Sequence, residues 1–196
     1  MELIYQGPQK YKKKIAIINS LSKELNPVNY VNSLCNLKGL SKIILIHKPI
    51  KFAAQFQEPN KIFLDLRNNL DYINLSLAHE YTHLLLRYNQ WTNYPSIKNI
   101  LKKHRDYRTS LLKNSFEYSI EQSIAILGQL SYEDKNRIRA FKEKKVMTLM
   151  RYMDVLKVGQ FFLQKWNGYW KRKYPFHSLR FPNILDFIGS ILKESF

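Results

Sequence analysis

The period of the apolar residues changes near residue 71, from two upstream to 3.6 downstream. Upstream, the apolar run Lys14–Ile18 and the segments Lys42–His47 and Lys61–Leu66 are typical of short strands. Downstream, the first helix is expected to begin near Asp71 and to run for about 18 residues. Strands followed by helices predict an α+β fold, in which a small mixed or antiparallel N-terminal sheet precedes a mostly helical core.

Capping residues indicate where two further helices begin and end. Asn26 is a candidate N-cap, Pro27 suits the first helical position, and Gly39 is expected to end that helix. A later helix is expected from about Phe116 to Leu130, and Ser131 is expected to cap the long helix that follows. The chain is expected to end in a short apolar helix.

Length and composition fit one domain with a substantial core, because 45% of the 196 residues are hydrophobic. We expect a single domain, residues 1–196, with a strand-rich part over 1–70, a site-bearing helical part over 71–130 and a helical C-terminal part over 131–196. The single cysteine, Cys35, excludes an intrachain disulfide and a cysteine-based zinc cluster. Its apolar neighbours Val31 and Leu34 predict a buried thiol.

The N-terminal segment lacks the apolar core of a signal peptide, and no run approaches the roughly 18 apolar residues of a membrane span. We therefore expect no transmembrane segment and a cytoplasmic location, with export by an unconventional route left open. The sequence does not indicate an oligomeric state.

The sequence HEYTH, residues 79–83, lies in the middle of the helix expected from Asp71. Residues four apart project from one helix face, so the imidazoles of His79 and His83 can hold one metal ion. Glu80 is rotated away from the ion but can reach a water bound to it. Zinc lowers the pKa of such a water to about 7, and Glu80 would then act as the general base. The alternative is two helix histidines beside a surface glutamate.

A catalytic zinc usually takes three protein ligands and a water. Glu117 and Glu121, on the helix expected after residue 116, are the candidates for the third ligand. We favour Glu121, because Ala125 and Gly128 on the same stripe are small and allow a close approach to the HEYTH helix. Glu117 is expected to hydrogen-bond a ligating histidine, or to serve as the alternative ligand.

A HEYTH helix followed by a glutamate helix resembles the gluzincin branch of the zincin metallopeptidases, over roughly residues 60–130. The resemblance implies zinc-dependent hydrolysis of peptide bonds in a peptide or protein substrate. Carried over residue by residue, it implies that the zinc ligands are His79, His83 and Glu121. Glu80 would be the base and proton shuttle.

Some positions depart from the patterns of zincin families. A metzincin would carry Gly at position 86 and His at position 89, but these are Leu86 and Asn89, so that branch is excluded. The asparagine–glutamate pair familiar in gluzincins is also missing, because Ile120 precedes Glu121.

The resemblance also implies a substrate position. The strand Lys61–Leu66 is expected to be an edge strand along the cleft, where an extended substrate would pair with it. The carbonyl oxygen that becomes negatively charged needs a hydrogen-bond donor. The candidates are His177, as transition-state stabiliser, and Tyr169 or Tyr174.

The charge is strongly basic, with 32 Lys and Arg against 15 Asp and Glu, a formal net charge of +17. Such a charge favours polyanions such as nucleic acid or an anionic membrane surface. The tail Trp166–Phe181 combines aromatic and basic residues in the same sense, although packing of its aromatics on a helix is the more ordinary interpretation. The alternative function is thus a basic nucleic-acid-binding or regulatory module with a degenerate or non-catalytic metal site.

Overall fold

The computed structural model describes residues 2–23, 25–50, 54–103, 115–136, 148, 151 and 184–195. This part of the chain contains four strands and six helices, which confirms the α+β prediction. The tail Trp166–Phe181 and most of the helix expected after Ser131 lie outside the described residues.

The four strands form one mixed sheet in the order β1-β2-β4-β3. Strands β1, β2 and β4 are parallel, and β3 runs antiparallel to β4. The bounds are Glu2–Gln6 for β1, Lys42–His47 for β2, Ala54–Gln57 for β3 and Lys61–Leu64 for β4. The prediction that the Lys61 strand forms the edge was wrong. The short strand β3, which the sequence did not indicate, pairs with its outer side.

The helices account for most of the described chain. Their bounds are Lys12–Ser20 for α1, Pro27–Cys35 for α2, Leu70–Tyr88 for α3, Pro95–Lys103 for α4, Phe116–Lys135 for α5 and Ile184–Ser195 for α6. Helix α6 confirms the expected terminal helix. In the described part of the chain, none of the helices combines the length and the apolar character that a membrane span requires.

The run Lys14–Ile18 was predicted as a strand but lies inside α1. Ile15 and Ile18, three positions apart, are buried, whereas Ile17 between them is 41% exposed. Three-residue spacing is helical, and an apolar run of this length does not reveal its period. The strand prediction was wrong for that reason.

Helix α2 begins as predicted. The side chain of Asn26 accepts hydrogen bonds from the backbone N–H of Val28 at 3.1 Å and of Asn29 at 3.2 Å, and Pro27 is the first helical residue. The helix ends earlier than Gly39, because Asn36 adopts the left-handed conformation with φ 49°.

Helix α5 is longer than predicted. It continues through Ser131 to Lys135, so Ser131 is not a cap but a buried residue inside the helix. The prediction of a new helix at this point was wrong. A serine can stand inside a helix when tertiary contacts outweigh its capping preference.

Helix α3 is the centre of the structure. Asn69 caps it by accepting a hydrogen bond from the N–H of Tyr72 at 2.8 Å. One side of α3 contacts strands β3 and β4, and its other neighbours are α2 and α5. The core between these layers includes the alternating strand residues Ile43, Leu45, Ile62 and Leu64. The middle of α3 therefore lies where the sheet edge and α5 meet.

Candidate functional site

Helix α3 brings the two histidines of HEYTH side by side. The ring centres of His79 and His83 are 5.1 Å apart, with an interplanar angle of 68°. At a Zn–N distance of about 2.0–2.1 Å, and with each ring centre roughly 1.2 Å behind its nitrogen, two imidazoles on one tetrahedral ion have centres about 5 Å apart. The spacing of the two rings therefore fits a shared zinc ion.

Helix α5 places the carboxylate of Glu121 against His83. Its Oε1 is 2.7 Å from Nδ1 of His83 and 3.0 Å from Nε of Arg87, and Glu121 is only 3% exposed. Burial raises the pKa of Glu121, but its hydrogen bonds with His83 and Arg87 and the charge of Arg87 outweigh it, so the net pKa lies below its ordinary value. The carboxyl group is therefore ionised at neutral pH.

Hydrogen bonds at both ring nitrogens define the tautomer of His83. An ionised carboxylate only accepts, so Nδ1 must donate its proton to Glu121. On the other side of the ring, Nε2 lies 3.1 Å from the amide Nε2 of Gln122, which donates to it. In this arrangement the proton of His83 lies on Nδ1. A metal would use the Nε2 lone pair, which the Gln122 amide occupies here, so the amide would have to move away.

Small residues allow the close approach of α5 to α3 that these contacts require. Gly128 faces Thr82 of α3, and a Cβ at position 128 would lie 2.7 Å from the Thr82 Oγ1. Ala125 on the same stripe is fully buried. The predicted role of Gly128 is confirmed.

Glu121 contacts the Nδ1 side of His83, whereas a metal held by the HEYTH pair would lie on the Nε2 side. In this geometry Glu121 orients the ring, and it would have to leave His83 to bind the ion. Glu117 is exposed on α5. The described residues include no group of three His, Cys, Asp or Glu side chains arranged to hold a metal ion. The ring spacing of His79 and His83 matches two ligands of one ion, and both the metal and its third ligand stay predictions.

The edge strand β3 forms a wall beside the histidines. The backbone N–H of Phe56 donates to Oε2 of Glu80 at 3.0 Å. The Phe56 ring stacks on His83, with centres 5.0 Å apart and an interplanar angle of 16°. Strand β3 thus contacts the predicted base and one predicted ligand.

Arg87 joins this wall to α5. Besides its bond to Glu121, it donates from NH1 to Oε1 of Glu58 at 2.9 Å, and its guanidinium lies 4.9 Å from the centre of the Phe56 ring. Glu58 belongs to the turn between β3 and β4. Arg87 is therefore the side chain that contacts both the turn and the carboxylate behind His83.

Tyr118 places a phenol hydroxyl near the site. It accepts a hydrogen bond from Nε2 of Gln122 at 3.1 Å and is 38% exposed. Burial, with the charge of Glu121 adding to it, raises the pKa of Tyr118, so its hydroxyl stays protonated at neutral pH. The donors expected from the sequence, His177, Tyr169 and Tyr174, lie outside the described residues.

No family model, curated protein or solved structure matches the chain. The resemblance to the gluzincins accordingly stays a prediction from HEYTH and the glutamate helix that follows it.

Several residues of the site were not predicted from the sequence. Arg87 had a usable signal, because it lies four residues after His83 and so projects from the same helix face. Gln122 directly follows Glu121, but its contact with His83 depends on how α5 packs. Phe56 and Glu58 had no signal, since β3 itself was not predicted.

Proposed function

We propose that the protein is a zinc-dependent peptidase, in which His79 and His83 hold the zinc and Glu80 is the general base. The observation that carries the proposal is the His83 ring, whose Nδ1 is held by Glu121 at 2.7 Å while Nε2 accepts a hydrogen bond on the other side. A carboxylate behind a histidine in this way is the usual support of a metal-binding imidazole. When bound, zinc would polarise the scissile carbonyl and acidify a water.

Glu80 would move the proton. Its Oε2 accepts from the Phe56 N–H at 3.0 Å, which holds the carboxylate in one orientation. The other oxygen would take a proton from the attacking water and pass it to the leaving amine. A backbone amide is well suited to this positioning because it cannot change its protonation state.

Strand β3 would align the substrate. In an antiparallel pair, successive residues point their backbone groups alternately toward and away from the partner strand. Phe56 directs its N–H to Glu80, so Phe56 and Ala54 belong to the set that faces away from β4. Because the Phe56 N–H is already donated to Glu80, an extended peptide would pair with the other outward groups of this set and pass close to Glu80.

Tyr118 is the described side chain best suited to donate to the carbonyl oxygen as it becomes negatively charged. Its hydroxyl lies one helical turn before Gln122, whose amide contacts His83. A protonated phenol is a suitable donor for this purpose.

The first test compares the wild type with Glu80→Gln and Glu117→Gln. Zinc is measured by plasma emission spectrometry after purification without chelators, and hydrolysis is measured on a mixture of fluorescence-quenched peptides. Glu80→Gln should keep its zinc and lose about 10²-fold or more in turnover, the typical contribution of a general base. Glu117→Gln removes the same charge from an exposed residue and should retain both properties, whereas a loss of zinc in this variant would identify Glu117 as the third ligand.

Two results would count against the proposal. One is a wild-type protein that carries no zinc and takes none up, and the other is full activity in Glu80→Gln. Steeply salt-dependent binding of the wild type to DNA or RNA, without hydrolysis of any peptide, would favour the alternative of a basic binding module.

A further inference from the structure

Arg87 makes three different contacts around the candidate site. Its Nε donates to Oε1 of Glu121 at 3.0 Å, its NH1 donates to Oε1 of Glu58 at 2.9 Å, and its guanidinium lies 4.9 Å from the centre of the Phe56 ring. The Phe56 ring in turn stacks on His83. None of these three contacts is with His79 or His83, but two of the contacted residues, Glu121 and Phe56, themselves contact His83.

These contacts require a guanidinium. Its planar fork presents donors in fixed directions and its face can stack on an aromatic ring, whereas a lysine ammonium is a single flexible point charge. A lysine at position 87 would present neither a planar fork nor a face that can stack on the Phe56 ring. The geometry is therefore specific to arginine and does not follow from a positive charge alone.

Arg87 and His83 share one acceptor, Oε1 of Glu121. The arginine is a fixed positive group on that oxygen and restricts where the carboxylate can lie. Because the carboxylate then stays against Nδ1, the imidazole keeps its proton there and Nε2 remains an acceptor. The orientation and tautomer of His83 thus depend on a residue one turn further along α3.

Glu58 and Phe56 are the other two residues that the guanidinium of Arg87 contacts. Phe56 lies in β3 and Glu58 in the turn that follows it, so the strand along which the substrate would lie also contacts the arginine. We propose that Arg87 is a positioning residue that fixes Glu121, and through it His83, in the form that binds metal. This inference rests on the proposed function in that it takes His83 to be a metal ligand.

The experiment compares the wild type with Arg87→Ala, Arg87→Lys and Glu58→Gln in two measurements. Zinc affinity is measured by competition with a chromophoric chelator. The tautomer of His83 is read from its ring ¹⁵N shifts by NMR in the metal-free full-length protein. The second measurement reports a property that a merely structural role of Arg87 would leave unchanged.

Arg87→Ala should weaken zinc binding by about 10- to 100-fold, the usual effect of losing a group that supports a metal-binding histidine. In the same variant His83 should change from a single Nδ1–H tautomer to a mixture. Arg87→Lys should have a zinc affinity and a His83 tautomer population between those of the wild type and of Arg87→Ala. Glu58→Gln, the matched control, should change zinc affinity by less than about threefold, because the bond from Arg87 to Glu121 remains.

Zinc affinity and a His83 tautomer that both stay at wild-type values in Arg87→Ala would overturn the inference. If Arg87→Ala does not fold, Arg87→Lys decides, and wild-type values in that variant reject the requirement for a guanidinium fork. A wild type that binds no zinc would instead reject the proposed function. The tautomer of metal-free His83 would still decide whether Arg87 positions the ring.

Discussion

The thiol of Cys35 shows what burial does to a single residue. Cys35 is fully buried in α2, as the apolar neighbours in the sequence predicted, and burial raises its pKa to about 12. At pH 8 the thiol should react with a disulfide reagent about a thousandfold more slowly in the folded protein than in denaturant, because the thiolate is the reactive form. Stopped-flow absorbance measures both rates.

The same shift has a consequence for stability. A raised pKa favours the folded state fully below the ordinary thiol pKa of about 8.5, and this contribution is lost as the pH rises above that value, where the unfolded chain gains a thiolate. Cys35→Ala should therefore lose stability less steeply than the wild type between pH 8 and pH 10. A Cys35 thiol that reacts within seconds, while the circular dichroism spectrum shows that the protein is still folded, would contradict the predicted slow reaction.

At this scale, sequence spacing alone was enough to pair His79 with His83, because positions four apart share a helix face whatever the rest of the chain does. It could not assign Gln122 to Nε2 or Glu121 to Nδ1. Those two contacts depend on the rotation and the distance of α5 relative to α3. No short-range sequence pattern predicts how two helices pack.

The contact between α3 and α5 can be tested at Gly128. A Cβ there would lie 2.7 Å from Oγ1 and 3.6 Å from Cγ2 of Thr82, which is fully buried and donates to the carbonyl of Ala78 at 2.8 Å. Turning the Thr82 hydroxyl away from this position would break its hydrogen bond to Ala78. Gly128→Val should therefore destabilise the protein by about 2 kcal/mol, an ordinary cost of overpacking. Urea unfolding with a chelator present measures the change.

A double-mutant cycle supplies the control for Gly128→Val. In a Thr82→Ala background the opposing atoms are missing, so the same substitution should cost at least about 1 kcal/mol less. Equal costs in the two backgrounds would show that the two helices do not meet at this pair.

At the scale of elements, the periodic or well-capped helices α2 and α3 and the apolar strands β2 and β4 were predicted, whereas strands β1 and β3 were not. Helix α3 has enough turns to reveal its period, and α2 carries an Asn–Pro start. Strands β1 and β3 have five and four residues, and their partners β2 and β4 come later in the sequence. Such pairings depend on tertiary contacts, which is why the edge strand was assigned to the wrong segment.

The high net charge of the whole molecule predicts that its thermal stability depends on salt concentration. The formal net charge is +17 on 196 residues, so like charges on the folded protein repel one another. Dissolved salt screens this repulsion, with a Debye length of about 8 Å at 0.15 M. Raising NaCl from 20 to 300 mM should increase Tm by about 3 °C, which corresponds to roughly 1 kcal/mol for a protein of this size. Circular dichroism at constant pH measures Tm.

A variant with less charge separates screening from anion binding. Lys12 and Lys13 are exposed in the first turn of α1. Changing both to Glu lowers the net charge by four and places acidic groups at a helix N-terminus, where they are favourable. Its Tm should be higher at low salt and respond less to NaCl. Sulfate also stabilises folded proteins through its exclusion from their surface, an effect that grows steadily with concentration. A sulfate effect that saturates at low millimolar concentration would instead indicate an anion site and favour the polyanion-binding alternative. A wild-type Tm that falls with salt would mean that attractive pairs such as Arg87 with Glu58 and Glu121 outweigh the repulsion.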